Sequence, residues 1–274
     1  MIKNNTSPYD IFGNIALVKF KVGTKAKDKK RFADNLLENN KSVKTVLEKS
    51  GRFKGRLRKQ ETKYLTGLKT KEALYRENNC VFRFNIDSVY FSPRLSNERK
   101  EVAHEVKKGD SVLVMFAGVG PYPIVIAKNS GAGKVYSNEI NKEANKYAEM
   151  NIELNGVKNR LVLLEGDIKR VAKKVSKGRL IVKGNLVPLH FDVIVMPRPQ
   201  LKDSFLREAF TLSKKGTRIF YYDFCKEEEI KNAVNRIKQE AIKYKKRVKI
   251  LGIKKAGEIA PYKYRIRVDF RIVS

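Results

Sequence analysis

The stretch from Val114 to Ile140 holds the residues best suited to chemistry: Gly118, Gly120 and Pro121 after an apolar run, then an apolar segment of helix length, a second strand and Glu139. Amides at a helix N-terminus entered through such a turn face an anionic or polar ligand group, and a carboxylate ending the next strand accepts from both hydroxyls of a ribose. A dinucleotide loop needs a third glycine, and that position holds Pro123, which argues against a closely held pyrophosphate. No Gly-Lys-Ser/Thr follows the turn, so a Walker-type phosphate loop is absent. What remains is an adenosyl ligand without phosphate, its amino-acid end on the glycine turn. Asp167, in "EGD", follows a third strand and is either an acceptor for the adenine amine or the N-cap of a helix over 168–175.

The elements that must position these groups alternate. After Gly109 the pattern predicts strand 111–116, helix 121–129, strand 133–138, helix 141–155, strand 160–164, helix 168–175, strand 191–196, helix 202–214, strand 216–222 and helix 226–244. Such alternation means a parallel sheet with helices on both faces. Two strands, 247–253 and 264–273, then close the chain, and "SKGRLIVKGNLVPLHF" (176–191) reads as a small β-ribbon insertion. A terminal hairpin on a doubly wound sheet is similar to class I, Rossmann-like S-adenosylmethionine-dependent methyltransferases. The fold class expected is therefore α/β of that kind, residues 106–274, preceded by a smaller α+β domain, residues 1–105. In the latter, 14–21 and "SVKTVLEKS" read as strands around an amphipathic helix, and 80–91 as another strand. "RFKGRLR" alternates basic and apolar residues, which predicts a strand with a cationic face, lying along phosphates or simply solvated. Ser96 is expected as the N-cap of the helix carrying Glu98 and Arg99, with Glu98 as a capping-turn carboxylate on this reading alone.

The chain has 60 Lys and Arg against 29 Asp and Glu, a formal net charge of +31. A polyanionic partner, nucleic acid first, is the usual physical reason for such an excess; general lysine enrichment is the bland alternative. The apolar runs are broken by Gly and Pro and fall short of a membrane span, and "MIKNNTSPYD" has no signal-peptide core. Cys80 and Cys225 are too far apart in sequence to suggest a disulfide framework, and with His104 and His190 they make no zinc pattern. A reducing, cytoplasmic setting is expected.

"MFAGVGP", "NIELN", "YFSPRLSNER", "FYYDF" and "DIFGNIALVKF" together resemble the archaeal and eukaryotic family that methylates N1 of guanosine 37 in tRNA, related to the wyosine-pathway enzymes. The resemblance runs from about residue 8 to 272. Members usually carry an additional N-terminal domain that grips tRNA, so a shortened form is expected. The resemblance implies S-adenosyl-L-methionine held by Phe116, Gly118, Gly120, Glu139, Ile140 and Asp167. It makes Glu98 the base that removes the N1 proton and Arg58 the cation that stabilises charge on O6. Tyr90 falls in the nucleobase pocket, Arg94 or Arg99 on RNA phosphate, and Pro197 and Arg198 beside the target base. The chemistry is physically coherent, since attack by guanine N1 needs both a base and a donor near O6.

Two departures stand out. Val114 occupies the place of an acid before "MFAG", and "MPRP" puts Pro197 where the family shows an asparagine, leaving backbone carbonyls or the Arg198 cation to replace the amide. Cys225 follows the fifth strand and is expected to be a buried structural thiol. The function expected is therefore tRNA guanosine-37 N1 methylation. The alternatives are methyl or aminocarboxypropyl transfer to a wyosine-type base at the same position, or a tRNA-binding protein without catalysis. A monomer with no membrane partner, no obligate protein partner and no metal site is expected.

Overall fold

A computed structural model describes residues 7–274 apart from 52–54, 56, 179 and 199. The first unit opens with β1 (Tyr9–Phe12) and β2 (Ile15–Val18), an antiparallel pair joined at Gly13. Helix α1 (Ala26–Asn39) crosses back to β3 (Thr45–Lys49), parallel to β2, and β4 (Thr62–Gly67) completes a sheet in the order β1-β2-β3-β4. Ala33 and Leu36 of α1 pack onto Ala16, Val18 and Val46, as the apolar stripe of an amphipathic helix must. β5 (Glu72–Glu77) and β6 (Cys80–Asn85) form a separate hairpin. A short 3-10 turn, Pro93–Leu95, runs straight into α2 (Ser96–Glu105).

From there the chain alternates: β7 (Ser111–Val114), α3 (Pro121–Asn129), β8 (Lys134–Glu139), α4 (Lys142–Leu154), β9 (Leu161–Glu165), α5 (Ile168–Val175), the ribbon β10 (Ile181–Val182) and β11 (Asn185–Leu186), β12 (Phe191–Met196), α6 (Leu206–Thr211), β13 (Ser213–Lys226) and α7 (Ile230–Lys243). The hairpin β14 (Val248–Ala260) and β15 (Lys263–Ile272) ends it. The seven-stranded sheet has the order β14-β15-β13-β12-β7-β8-β9, parallel from β13 to β9 and antiparallel at β15 and β14. This is a Rossmann-like α/β sheet. Its strand order reverses between β7 and β12, and the crevice outside the carboxyl ends of those two strands is where such sheets bind ligands.

One apolar core joins the two units. Phe12, Ile15, Leu17 and Phe84 belong to the same cluster as Val112, Val193 and Phe220. A polar seam reinforces it from α4. Asn151 accepts from Arg83 N at 2.7 Å and donates to Arg83 O at 3.1 Å; Asn155 accepts from Val81 N at 2.9 Å and donates to Val81 O at 2.7 Å.

Several expected elements differ. The strand expected over 80–91 stops at Asn85. The strand expected over 52–58 is not seen at its described residues: Gly55, Leu57 and Arg58 lie in turns, Arg58 with φ +52°, while 52–54 and 56 lie outside the described residues. Ser96 is no N-cap, because the 3-10 turn feeds α2 without a free helix end; Ser96 N bonds to Pro93 O, and Ser96 O accepts from the Asn78 amide at 2.8 Å. The helix expected over 202–214 is only Leu206–Thr211, entered from Phe205 at φ +56°.

Candidate active site

The glycine turn leaves β7 through Phe116 at φ +58°, Gly118 at +57° and Gly120 at +90°. Gly120 is the N-cap position of α3, and a Cβ there would meet Ile124 Cδ1 at 2.9 Å, so both conformation and space call for glycine. Glu139, at the end of β8, accepts from Gly118 N at 2.8 Å and from Asn141 N at 2.8 Å. Burial raises its pKa above the usual value of 4.5, partly offset by the backbone N–H groups of Asn141, Gly118 and Ile140. The half-buried carboxylate so held lines a cleft of about 510 Å³ with Phe116, Gly118, Ile140, Ala144 and Pro197. Its mixed polar and apolar lining suits a small ligand. These residues fit an adenosyl ligand: the glycine backbone lies open at one end, and Glu139 keeps acceptor capacity for a ribose. Asp167 is the N-cap of α5, accepting from Lys169 N at 3.0 Å, and lines neither this cleft nor its neighbour.

The neighbouring cleft, about 540 Å³, shares Arg58, Tyr90, Phe116, Gly118 and Pro197 with the first and adds Phe91, Tyr122, Tyr222 and Arg265. The Arg58 guanidinium lies 3.7 Å from the Tyr90 ring centroid. Burial lowers the pKa of Arg58. Burial by itself raises that of Tyr90, but the Arg58 and Arg265 guanidiniums and hydrogen bonds with Ser92 and Arg265 outweigh it and bring it below the usual phenol value. Asn141, the N-cap of α4, fastens this wall by donating to Ser88 O at 3.1 Å and Leu57 O at 3.4 Å.

Glu98 lies behind the second cleft. It is buried and accepts from Tyr222 Oη at 2.9 Å, from Arg267 Nη1 at 2.8 Å and from Lys254 Nζ at 2.7 Å. Arg267 also pairs with Asp269 at 2.9 Å, and Lys254 with Glu101 at 2.6 Å. The hydrogen bond from Lys254 comes first among the interactions that lower the pKa of Glu101. The terminal hairpin thus supplies both cations around the carboxylate.

Two arginines expected to reach the substrate are spoken for. Arg99 is 1% exposed, donates to both carboxylate oxygens of buried Glu77 and bonds to Ser92 O at 3.0 Å, so it braces the wall and does not meet RNA phosphate. Arg198 lines the second cleft, but its Nη2 is paired with buried Asp223 and its Nη1 donates to Leu201 O at 2.7 Å and Asp203 O at 2.9 Å. Arg94 is exposed, paired with Asp10 at 2.8 Å, and borders a groove of about 1430 Å³ with Lys19, Lys49, Arg58 and Arg265. Pro197 borders both clefts, and Val114 is wholly buried in β7.

Burial raises both thiols, Cys80 to about 11, and Cys225 is buried away from the clefts. Among the described residues no group of His, Cys, Asp or Glu is placed to hold a metal ion, and no helix is long and apolar enough to cross a membrane. Sequence reasoning missed Tyr222, Lys254, Arg265, Arg267 and Asn141. The alternation of Arg265, Arg267 and Asp269 in "YRIRVDF" was the available signal, since every second residue of a strand shares a face.

Comparison with known proteins places the chain in a family. The model of the TRM5/TYW2 methyltransferase domain matches residues 73–251. The tRNA (guanine(37)-N(1))/4-demethylwyosine(37)-methyltransferase Taw22 of Nanoarchaeum equitans is 33% identical, covering 97% of this chain and 99% of its own. The tRNA (guanine(37)-N(1))-methyltransferase Trm5b of Pyrococcus abyssi is 34% identical over 96% of this chain and 74% of its own. The crystal structure of P. abyssi Trm5b superposes with a TM-score of 0.83 at 33% identity, covering 97% of this chain and 75% of that one.

Proposed function

Because this chain belongs to the TRM5/TYW2 methyltransferase family, we propose that it methylates N1 of guanosine 37 in tRNA, with S-adenosylmethionine as methyl donor. The observation that carries the reading is the pairing of two adjoining clefts, one headed by Glu139 and the glycine turn, the other backed by Glu98 and walled by Arg58 and Tyr90. Glu139, Gly118, Gly120, Phe116 and Ile140 hold the donor, which supplies an electrophilic methyl on a sulfonium. Asp167 caps α5 one residue after Gly166, whose N–H bonds to Glu139 O at 2.8 Å, and from there contributes to the donor site. Tyr90 stacks the base, Arg58 faces the charge that develops on O6, and Glu98 is the final proton acceptor. Arg94 and the basic groove meet RNA phosphate. Pro197 offers no side-chain hydrogen bond, so backbone carbonyls replace the amide that the family shows there.

Residues 1–105 serve in this reading as the RNA-facing module and 106–274 as the donor-binding one, a division supported by the separate four-stranded and seven-stranded sheets. The acting unit in this reading is a monomer, since Glu98 and the hairpin that holds it come from one chain, and its setting is the cytoplasm. A second reading, methylation of 4-demethylwyosine at the same position, is favoured by the N. equitans relative, which matches along 99% of its length and carries both activities in its name. The test is nucleoside mass spectrometry after incubating the purified protein and labelled donor with unmodified tRNA transcript and, separately, with tRNA carrying 4-demethylwyosine. 1-Methylguanosine in the first supports the main reading. A product in the second alone selects the other reading, and tight donor binding with no product in either selects a non-catalytic tRNA-binding protein.

A further inference from the structure

We propose that the Tyr222 hydroxyl relays the proton from the target nucleobase to Glu98, so that the phenol, and not the carboxylate, touches the reacting ring nitrogen. The inference rests on the guanosine reading above. Tyr222 lines the 540 Å³ cleft and Glu98 does not, although the two are bonded at 2.9 Å and both are buried. Both carboxylate oxygens are already engaged: Oε2 accepts from Tyr222 and from Arg267 at 2.8 Å, and Oε1 meets Lys254 at 2.7 Å. A ring entering between Tyr90, Tyr122 and Pro197 therefore reaches the phenol before it reaches the acid.

The charged and titratable groups around the hydroxyl fix the direction of transfer. They are Tyr122 on α3, its ring centroid 5.9 Å from that of Tyr222, Glu98 and Arg99 on α2, Lys254 on β14, Arg267 and Asp269 on β15, and Arg265, also on β15, which lines the same cleft. Burial raises the phenol's pKa well above its usual value, with Tyr122 and Glu98 adding to the effect. A free phenolate is thus disfavoured, and the hydroxyl takes one proton only as it gives up another. In the step, the N1–H bond breaks and its proton moves to the Tyr222 oxygen while the Tyr222 proton moves to Glu98 Oε2. The freed pair on N1 forms the bond to the methyl carbon, and sulfur keeps the pair of the broken C–S bond. Tyr222 ends as it began, and Glu98 carries the proton until product leaves.

The test compares wild type, Tyr222→Phe and Glu98→Gln in single-turnover methylation of tRNA transcript from about pH 6 to about pH 9. Phenylalanine keeps the ring and its packing, and unchanged tRNA and donor affinities by calorimetry establish that the variant is folded. The relay predicts a rate about 10²-fold below wild type near neutrality, climbing by about tenfold per pH unit as guanine N1 approaches its own ionisation, while wild type levels off. A Tyr222→Phe rate within about threefold of wild type, or an equal deficit at every pH, overturns it. In protein without donor, a slowly exchanging hydroxyl proton resonance missing from Tyr222→Phe should shift when tRNA is added, and an unmoved resonance also overturns the relay. Wild type that leaves N1 unmethylated overturns the guanosine reading and the relay together, and is told apart because no substitution is needed to see it.

Discussion

Glu139 shows how one side chain sets a binding pH. Its folded-state pKa is raised by burial, so the stability linked to it is full below the usual 4.5 and is lost as pH rises through the raised value. Ribose hydroxyls need the ionised form as acceptor, so donor affinity moves the other way. We expect it to weaken as pH falls through that raised value, reaching about tenfold per pH unit below it, by calorimetry. Affinity held constant down to the usual glutamate value would refute the assignment. The place of Glu139 at the end of a strand and just before a helix was legible because that depends on local order alone. Arg99 was not legible, since its partner Glu77 lies on another element and only the packed fold shows that the pair is internal. Asp167 stood between two readings in the sequence, and the structure supplies the cap directly through Lys169 N.

At the scale of elements, the terminal hairpin does more than extend the sheet. β15 turns Arg267 and Asp269 inward and β14 brings Lys254, so a carboxylate on α2 is held from the opposite end of the sequence. Arg267→Met leaves buried Glu98 and half-buried Asp269 with less compensation, and a loss of about 3 kcal/mol is expected from removing one partner of the buried Glu98 pair. Thermal unfolding measures it, and an unchanged midpoint would refute this account. Elements with strong periodicity or clear punctuation were readable: α3, α5 and β12 fall on 121–129, 168–175 and 191–196 as expected. The 3-10 entry to α2, the positive φ at Phe205 and the turn at Arg58 were not, because each is imposed by neighbours that a linear pattern does not contain. "NIELN" was seen only as a family mark. Its physical content is a match of repeats, four helical residues rising about 6 Å against about 6.7 Å for two strand residues, which lets Asn151 and Asn155 meet Arg83 and Val81.

For the whole molecule, a net charge of +31 and a groove bordered by Lys19, Lys49, Arg58, Arg94 and Arg265 point to binding driven by counterion release. Affinity for tRNA should fall by about 10²-fold or more between about 50 and about 200 mM salt, whereas donor affinity should barely change. A flat salt response in filter binding would mean that the charge serves something else. Composition made this much legible, but not where the cations gather, which depends on the two sheets meeting across one core. The asparagine seam has its own consequence at this scale. The outer margin of the β5–β6 hairpin is a row of main-chain donors and acceptors of the kind that recruits foreign strands into fibres. Here helix α4 lays carboxamides along that margin as a false neighbour, so the main-chain groups of Val81 and Arg83 are already taken and give a foreign strand nothing to pair with.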